Sequence, residues 1–217
     1  MKKQKLRQAY RKFDHAEGNQ HIASEFAVEK LMELITWFKT KNILEVGLGI
    51  GSISGTILEL QKDGGQYYAG TEDNPYCLEA LNRNLGTNYE KVDIYGGIGE
   101  IPDYYKFDLI IIDGKDQNLS QIQSLLSSKG IIVIEGDRMP QQILLDELFP
   151  HNIMVHSISL KKNSARSPFP TDEWQGGVKI LFINPTLKQK IWWFKEKIFT
   201  KLKYQYPGRH FGQTITE

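Results

Sequence analysis

The sequence predicts an α/β fold: a three-layer sandwich around a seven-stranded, mostly parallel sheet with an antiparallel hairpin at one edge. Three observations carry this. Short apolar runs alternate with segments of helical period along most of the 217 residues. Two of these runs, Phe107 to Ile112 and Ile131 to Ile134, are continuously apolar, as strands buried on both faces are. The last two runs, Met154 to Leu160 and Val178 to Ile183, have no helical segment between them, so one of that pair is antiparallel to its neighbours.

The elements follow in order. Leu6, Tyr10 and Phe13 line one face of an N-terminal helical arm (residues 1–21), which Gly18-Asn19 ends. The arm covers the sheet or forms a lid, with His21 or Ser24 near a ligand. Ala27, Leu31, Leu34, Ile35 and Phe38 give the next helix its apolar face. Ile43 to Val46 is the first strand. Gly47, Gly49 and Gly51 follow at alternate positions, and a helix begins with Ile53, Ile57 and Leu58 at helical spacing. Strand, glycine turn and helix N-terminus make a nucleotide-type cofactor site, since residues without Cβ let a ligand approach the backbone. Glu45, at the strand end, suits a cationic amine on that ligand better than the phosphates of a dinucleotide. The strict dinucleotide fingerprint also fails, because Ser52 stands at its final glycine position.

Gln66 to Gly70 is the second strand. Glu72 lies about 20 residues beyond the last glycine, where a carboxylate accepts hydrogen bonds from ribose hydroxyls; Asp73 is the alternative. Pro75 to Leu85 is a helix with proline in its first turn and Gly86 after its end. Lys91 to Tyr95, then Gly96-Gly97-Ile98-Gly99, complete the third unit. Asp113-Gly114 ends the fourth strand. Leu119 to Leu126 reads as a helix, Lys129-Gly130 as a turn, and Glu135-Gly136-Asp137-Arg138 closes the fifth strand. Ile143 to Phe149 is helical. A long loop from Lys161 to Gly177 separates the last two strands; loops of that length in a compact domain are usually functional or disordered.

Composition excludes some classes. A net charge of +1 gives no global attraction to nucleic acid. The single cysteine, Cys77, allows no intrachain disulfide and fits a reducing compartment. The basic N-terminus has no apolar segment behind it, and no run is long enough to span a bilayer. The expected location is cytoplasmic, with peripheral attachment to the inner face of a membrane as the alternative.

Glu45-Val-Gly-Leu-Gly-Ile-Gly51, Glu72, Phe107-Asp-Leu-Ile-Ile-Ile-Asp-Gly114 and Lys129-Gly-Ile-Ile-Val-Ile134, in this order, resemble the class I S-adenosylmethionine-dependent methyltransferases over residues 22–184. The resemblance implies a Rossmann-like sandwich and S-adenosyl-L-methionine as cofactor. It implies that Gly47, Gly49, Gly51 and Ser52 run beneath the methionine moiety and Glu45 sits near its amine. Glu72 would hold the ribose, Asp73 and Asn74 would lie near the adenine, and Gly97 and Ile98 would occupy the adenine edge. Many members carry an acid at that edge, and this chain has none there. Asp113 closes the cofactor site and is the first choice of general base, with Glu135 and Asp137 beside it and His21, His151 and His156 as weaker alternatives.

Within the superfamily the chain looks most like small-molecule O-methyltransferases. Some of these bind a divalent metal through acids after strands four and five, here Asp113, Glu135 and Asp137. The Glu-Gly-Asp spacing and a missing histidine depart from that pattern, so a divalent metal is the alternative and not the favoured reading. A small-molecule or glycan-type acceptor is expected. RNA or protein methylation, and a non-catalytic cofactor-binding or assembly subunit, are the alternatives. No nucleic-acid partner is favoured.

Residues 185–217 form a basic extension. From Leu187 to Leu202, the side chains of Leu187, Ile191, Phe194, Ile198 and Leu202 share one helix face, widened by Trp192, Trp193 and Phe199. Lys188, Lys190, Lys195, Lys197, Lys201 and Lys203 surround it, against one acid, Glu196. The expectation is a helix docked on the domain or on a second copy in a homodimer, with attachment to an anionic membrane surface as the alternative.

Overall fold

A computed structural model describes residues 3–61, 65–136, 138–165 and 167–205. Seven strands form one sheet in the order β3-β2-β1-β4-β5-β7-β6. They are β1 (Asn42–Val46), β2 (Tyr67–Thr71), β3 (Val92–Tyr95), β4 (Phe107–Ile112), β5 (Leu126–Glu135), β6 (Ile153–Ile158) and β7 (Gly177–Phe182). β1 to β5 are parallel, and β7 runs antiparallel between β5 and β6. The expected fold class, including the edge hairpin, is what forms.

The helices are α1 (Lys3–Asp14), α2 (Glu25–Phe38), α3 (Ser52–Leu60), α4 (Pro75–Leu85), α5 (Ile122–Leu125), α6 (Met139–Leu148) and α7 (Leu187–Gln205). Strand alternation divides the core in two. Ile43, Tyr68, Leu109, Ile111, Val133 and Ile180 face one layer, which includes α1, α2, α3 and Trp192 of α7. Leu44, Val46, Ile110, Ile112, Ile132 and Leu181 face the other, with Ile122 of α5 and Leu145 of α6. Because both faces are covered, β4 is apolar but for Asp108 and β5 is apolar from Ile131 to Ile134.

Local chemistry sets the helix boundaries. The Ser24 hydroxyl accepts from the Ala27 amide at 3.2 Å and starts α2, and Asn74 does the same for the Tyr76 amide at 3.0 Å ahead of Pro75. Leu6, Tyr10 and Phe13 are buried as expected. Phe13 packs so closely on α3 that a Cβ at Gly55 would lie 2.6 Å from its ring.

Two expectations need correction. The helix over 119–126 is only a 3-10 turn (Leu119–Gln121) followed by the four residues of α5. The turn at Lys129-Gly130 lies inside β5. Phe107 pairs with Leu126 and Leu109 with Ile131, so the residues between bulge from the ladder while the strand continues. The glycine signal marks that bulge.

The third correction concerns α7. Gln189, Trp192, Glu196 and Thr200 face the domain, whereas Leu187, Ile191, Phe194 and Ile198 point outward. The docked face is held by specific polar contacts. Lys30 donates to Glu196 at 3.2 Å, Ser157 also donates to Glu196, and the Trp192 indole donates to Glu33 at 3.0 Å. Trp193 donates to the Met154 carbonyl at 2.7 Å. Trp192 also meets Phe38 and Phe182 edge to face. Amphipathic spacing located this helix correctly; partner chemistry on α2 and β6 decided which face turned in.

Candidate active site

The candidate site lies at the carboxyl ends of β1, β2, β4 and β5, where an open parallel sheet presents its loops. The three glycines there answer to three different constraints. Gly47 (φ 88°) faces Gly114, and a Cβ on it would lie 2.6 Å from the Gly114 Cα. Those residues let the loops after β1 and β4 touch backbone to backbone. Gly51 (φ 89°) caps α3, and its missing Cβ leaves room for Leu81 and Leu85 of α4. Gly49 (φ 52°) is different: a Cβ there would meet nothing within 4 Å. Protein packing leaves the space over Gly49 open.

Glu72 stands across from that space. Its Oε2 accepts from the Gly49 amide at 2.7 Å, and its Oε1 accepts from the amides of Asp73 at 3.2 Å and Asn74 at 3.0 Å. One carboxylate thus ties the glycine loop to the end of β2 and still keeps lone-pair capacity on Oε2 for a hydroxyl. Asp73 is exposed. The Asn74 side chain is committed to capping α4, so of the two only Asp73 keeps a side chain available at the adenine side.

Glu45 sits behind the loop rather than open to it, with 1% of its surface exposed. Tyr68 donates its hydroxyl to Glu45 Oε2, and the Ser54 amide in the first turn of α3 donates as well. Burial raises the Glu45 carboxyl well above its ordinary range, against these two donors, and Asp113 and Glu72 add to the rise. Ser52 is the first residue of α3 and is buried.

At the adenine edge, Ile98 is buried in the core and its amide donates to Asp116 Oδ2 at 2.8 Å. A Cβ on Gly97 would approach that same oxygen to 3.3 Å. Asp116, in the loop after β4, thus places a carboxylate beside residues 97–98, and its Oδ1 accepts from the Asn118 amide at 2.7 Å. Asp116 was not singled out in the sequence, although the run Asp113-Gly-Lys-Asp116 places an acid four residues past the strand.

Asp113, Glu135 and Arg138 form the other half of the site. Arg138 donates to Asp113 Oδ1 at 3.1 Å, to the Asp113 carbonyl, and through Nε to the Glu135 carbonyl at 2.8 Å. The Glu135 carboxyl lies beside that of Asp113. Burial, then the neighbouring Glu135, pushes Asp113 well above the carboxylate range, and Arg138 opposes this. Burial also raises Glu135, while the Ser24 amide and Arg138 pull it down. Two carboxyls this close share a proton readily. Arg138, which the sequence reading named only as part of the end of the fifth strand, supplies the compensating charge.

Asp137 lies outside the described residues. Among the described residues no group of three or more His, Cys, Asp and Glu could hold a metal ion. His21 is exposed at the end of the arm. His151 precedes β6 at the opposite end of the sheet, and His156 is exposed on the edge strand. The arm does reach the site: Gly18 packs against Tyr76 and Ile50, and the Tyr10 hydroxyl donates to the Ala23 carbonyl at 2.7 Å, next to the Ser24 amide that binds Glu135. The loop before β7 folds back on itself, with Asn163 donating to the Glu173 carbonyl at 3.0 Å. Together with Tyr10, Asp14 and Glu25 it encloses a polar void of about 10 Å³. A cavity of about 260 Å³, lined by Thr40, Asp108, Lys129 and Thr186, opens at the other end of the strands, away from this chemistry.

No protein-family model matches the sequence, and no curated protein matches it. Solved structures match the fold. An O-methyltransferase from Bacillus cereus in complex with SAH superposes with a TM-score of 0.59 at 16% identity, over 85% of this chain and 92% of that one. A SAH-bound methyltransferase from Podospora anserina gives 0.54 at 16% identity, over 82% and 86%. A precorrin-6y C5,15-methyltransferase from Geobacter metallireducens gives 0.51 at 18% identity, over 73% and 87%. The chain has the Rossmann-like fold of the class I S-adenosylmethionine-dependent methyltransferases.

Proposed function

We propose that the chain is an S-adenosylmethionine-dependent methyltransferase acting on a hydroxyl of a small or glycan-type acceptor. The observation that carries this is the open space over Gly49, bounded by Glu72 on one side and by the Asp113–Glu135–Arg138 cluster beyond Gly47 and Gly114. At Gly47 and Gly51 protein atoms take the volume a Cβ would occupy, whereas at Gly49, between them, nothing does. The SAH named in two of the fold's neighbours fits these residues: Glu72 offers acceptor capacity for ribose hydroxyls, Asp116 a carboxylate for the adenine edge, and the loop after β1 an open backbone surface at Gly49.

Bound S-adenosylmethionine supplies an electrophilic methyl group whose sulfonium leaves as a neutral thioether. The protein's part is to orient the acceptor oxygen in line and to take its proton. The Asp113–Glu135 pair does the second task. Its raised affinity for protons makes it a stronger base than a solvated carboxylate, and Arg138 keeps one of the two carboxyls ionised. Ser24 and Tyr10 hold the arm against Glu135 and limit water at the base.

Asp113 is already engaged by a guanidinium, and a dication would have to displace it. The set therefore suits base chemistry without a metal. The test is methyl transfer from labelled cofactor to fractions of a cell extract. Label in small hydroxylated compounds, base-stable as an ether is, supports the reading; label confined to RNA or protein overturns it.

A further inference from the structure

We infer that the outer face of α7 is a docking surface for an anionic lipid bilayer, lying flat on the membrane. The helix is amphipathic in the opposite sense from a helix that merely covers a core. Its inward face is held by Gln189, Trp192, Glu196 and Thr200, while Leu187, Ile191, Phe194 and Ile198 stand 75%, 61%, 60% and 44% exposed. These four recur at i, i+4, i+7 and i+11, a single stripe along three turns. Exposed lysines border the stripe on both sides, Lys188 and Lys195 on one flank and Lys190, Lys197 and Lys201 on the other. The one acid of the helix, Glu196, is buried against Lys30 and Ser157, so the outward surface carries only positive charge. Trp37 of α2, 51% exposed, adjoins the helix start, where Lys188 donates to its carbonyl at 2.6 Å.

Charge decides among occupants. Pairing this face with a second copy would set lysine rows against lysine rows, with no outward acid on the helix to answer them. A bilayer containing acidic phospholipids presents both complements at once: acyl chains for the stripe and phosphates for lysines whose stems lie along it. The helix runs beside β6, and Lys203 near its end donates to the Ile158 carbonyl at the site end of the sheet. A flat-lying α7 therefore carries the active-site loops along the membrane surface.

Flotation of the full chain with two vesicle types tests this: phosphatidylcholine alone, and phosphatidylcholine mixed with phosphatidylglycerol. Point variants are preferable to deletion, which would uncover Phe38 and Phe182. The chain should float with the acidic vesicles only and be released by salt. Ile191→Ser with Phe194→Ser should lose binding, and Lys195→Glu with Lys197→Glu should lose it by more than the roughly fivefold expected per neutralised lysine. All four side chains are exposed, so melting temperature and cofactor binding should be unchanged. No flotation, equal recovery with both vesicle types, or a dimer in ultracentrifugation that these variants dissolve while vesicles bind nothing, would overturn the inference.

Discussion

The Gly49 amide donates to Glu72 Oε2 at 2.7 Å, so the residue expected to hold the ligand's ribose also fixes the loop over which that ligand passes. The two roles predict a graded response. Glu72→Ala removes the ribose acceptor and releases the loop. Hydrogen bonds to a charged group are worth about 1.5–3 kcal/mol each, so cofactor affinity should fall by one to two orders of magnitude or more. Glu72→Gln keeps one acceptor oxygen and should lose less. Calorimetric titration of both variants with S-adenosylhomocysteine checks the order.

Gly49 and Gly51 should separate binding from stability. Gly49→Val puts a branched side chain into open space at φ 52°, where left-handed backbone costs about 1–2 kcal/mol. The fold should survive and cofactor binding should not. Gly51→Ala meets Leu81 and Leu85 at φ 89° and should lower the urea midpoint. Equal effects of both on binding and on unfolding would count against separate roles.

The Asp113–Glu135 pair sets the expected pH profile. Both carboxyls have folded-state proton affinities above the ordinary range, so the free base is lost as pH falls through that raised value. The acid limb of kcat/KM should lie above the usual carboxylate range of about 4. Arg138→Gln removes a charge that lowers both groups, and should move the limb to higher pH. Asp113→Asn should cut kcat by roughly 10²–10⁴. An acid limb that stays in place in Arg138→Gln would exclude the pair as the base.

Because Arg138 bonds to Asp113 at 3.1 Å, turnover should be unchanged by excess chelator and by added Mg²⁺. Activity abolished by chelator and restored by Mg²⁺ would assign these acids to a metal instead.

Lys30, Ser157 and Glu196 join α2, β6 and α7 in a buried network. Burial works against the Glu196 charge, yet Lys30, Ser157 and Lys203 together keep its carboxyl below the ordinary range. A lowered folded-state value means stability that is present above the unfolded-state value and lost as pH falls through the folded one. Glu196→Ala removes one of the two carboxylates on Lys30, Glu33 at 2.8 Å being the other, and should cost about 1.5–3 kcal/mol, read from urea unfolding.

Residue patterns made the sheet legible because its strands are short apolar runs with both faces covered. β4 begins and ends where its composition says. β5 did not, since Lys129-Gly130 signals a turn whether it ends a strand or bulges one. Glycine spacing located the loop after β1 but could not say that Gly51 serves Leu85, Gly47 serves Gly114, and Gly49, of the three, stays open. Those reasons lie in residues far along the chain. The roles of Arg138 and Asp116 were missed for the same cause: each acts on a loop that only the folded sheet brings near. The outward turn of the α7 stripe was equally hidden, because Glu33, Glu196 and Trp192 meet only in the tertiary structure.

The central claim is that the loop over β1 binds S-adenosylmethionine. Calorimetric titration of the intact chain with S-adenosylmethionine, S-adenosylhomocysteine and NAD tests it most directly. The expected result is saturable binding of the first two and none of NAD. Failure of both to bind at millimolar concentration, or tighter binding of NAD, would contradict it.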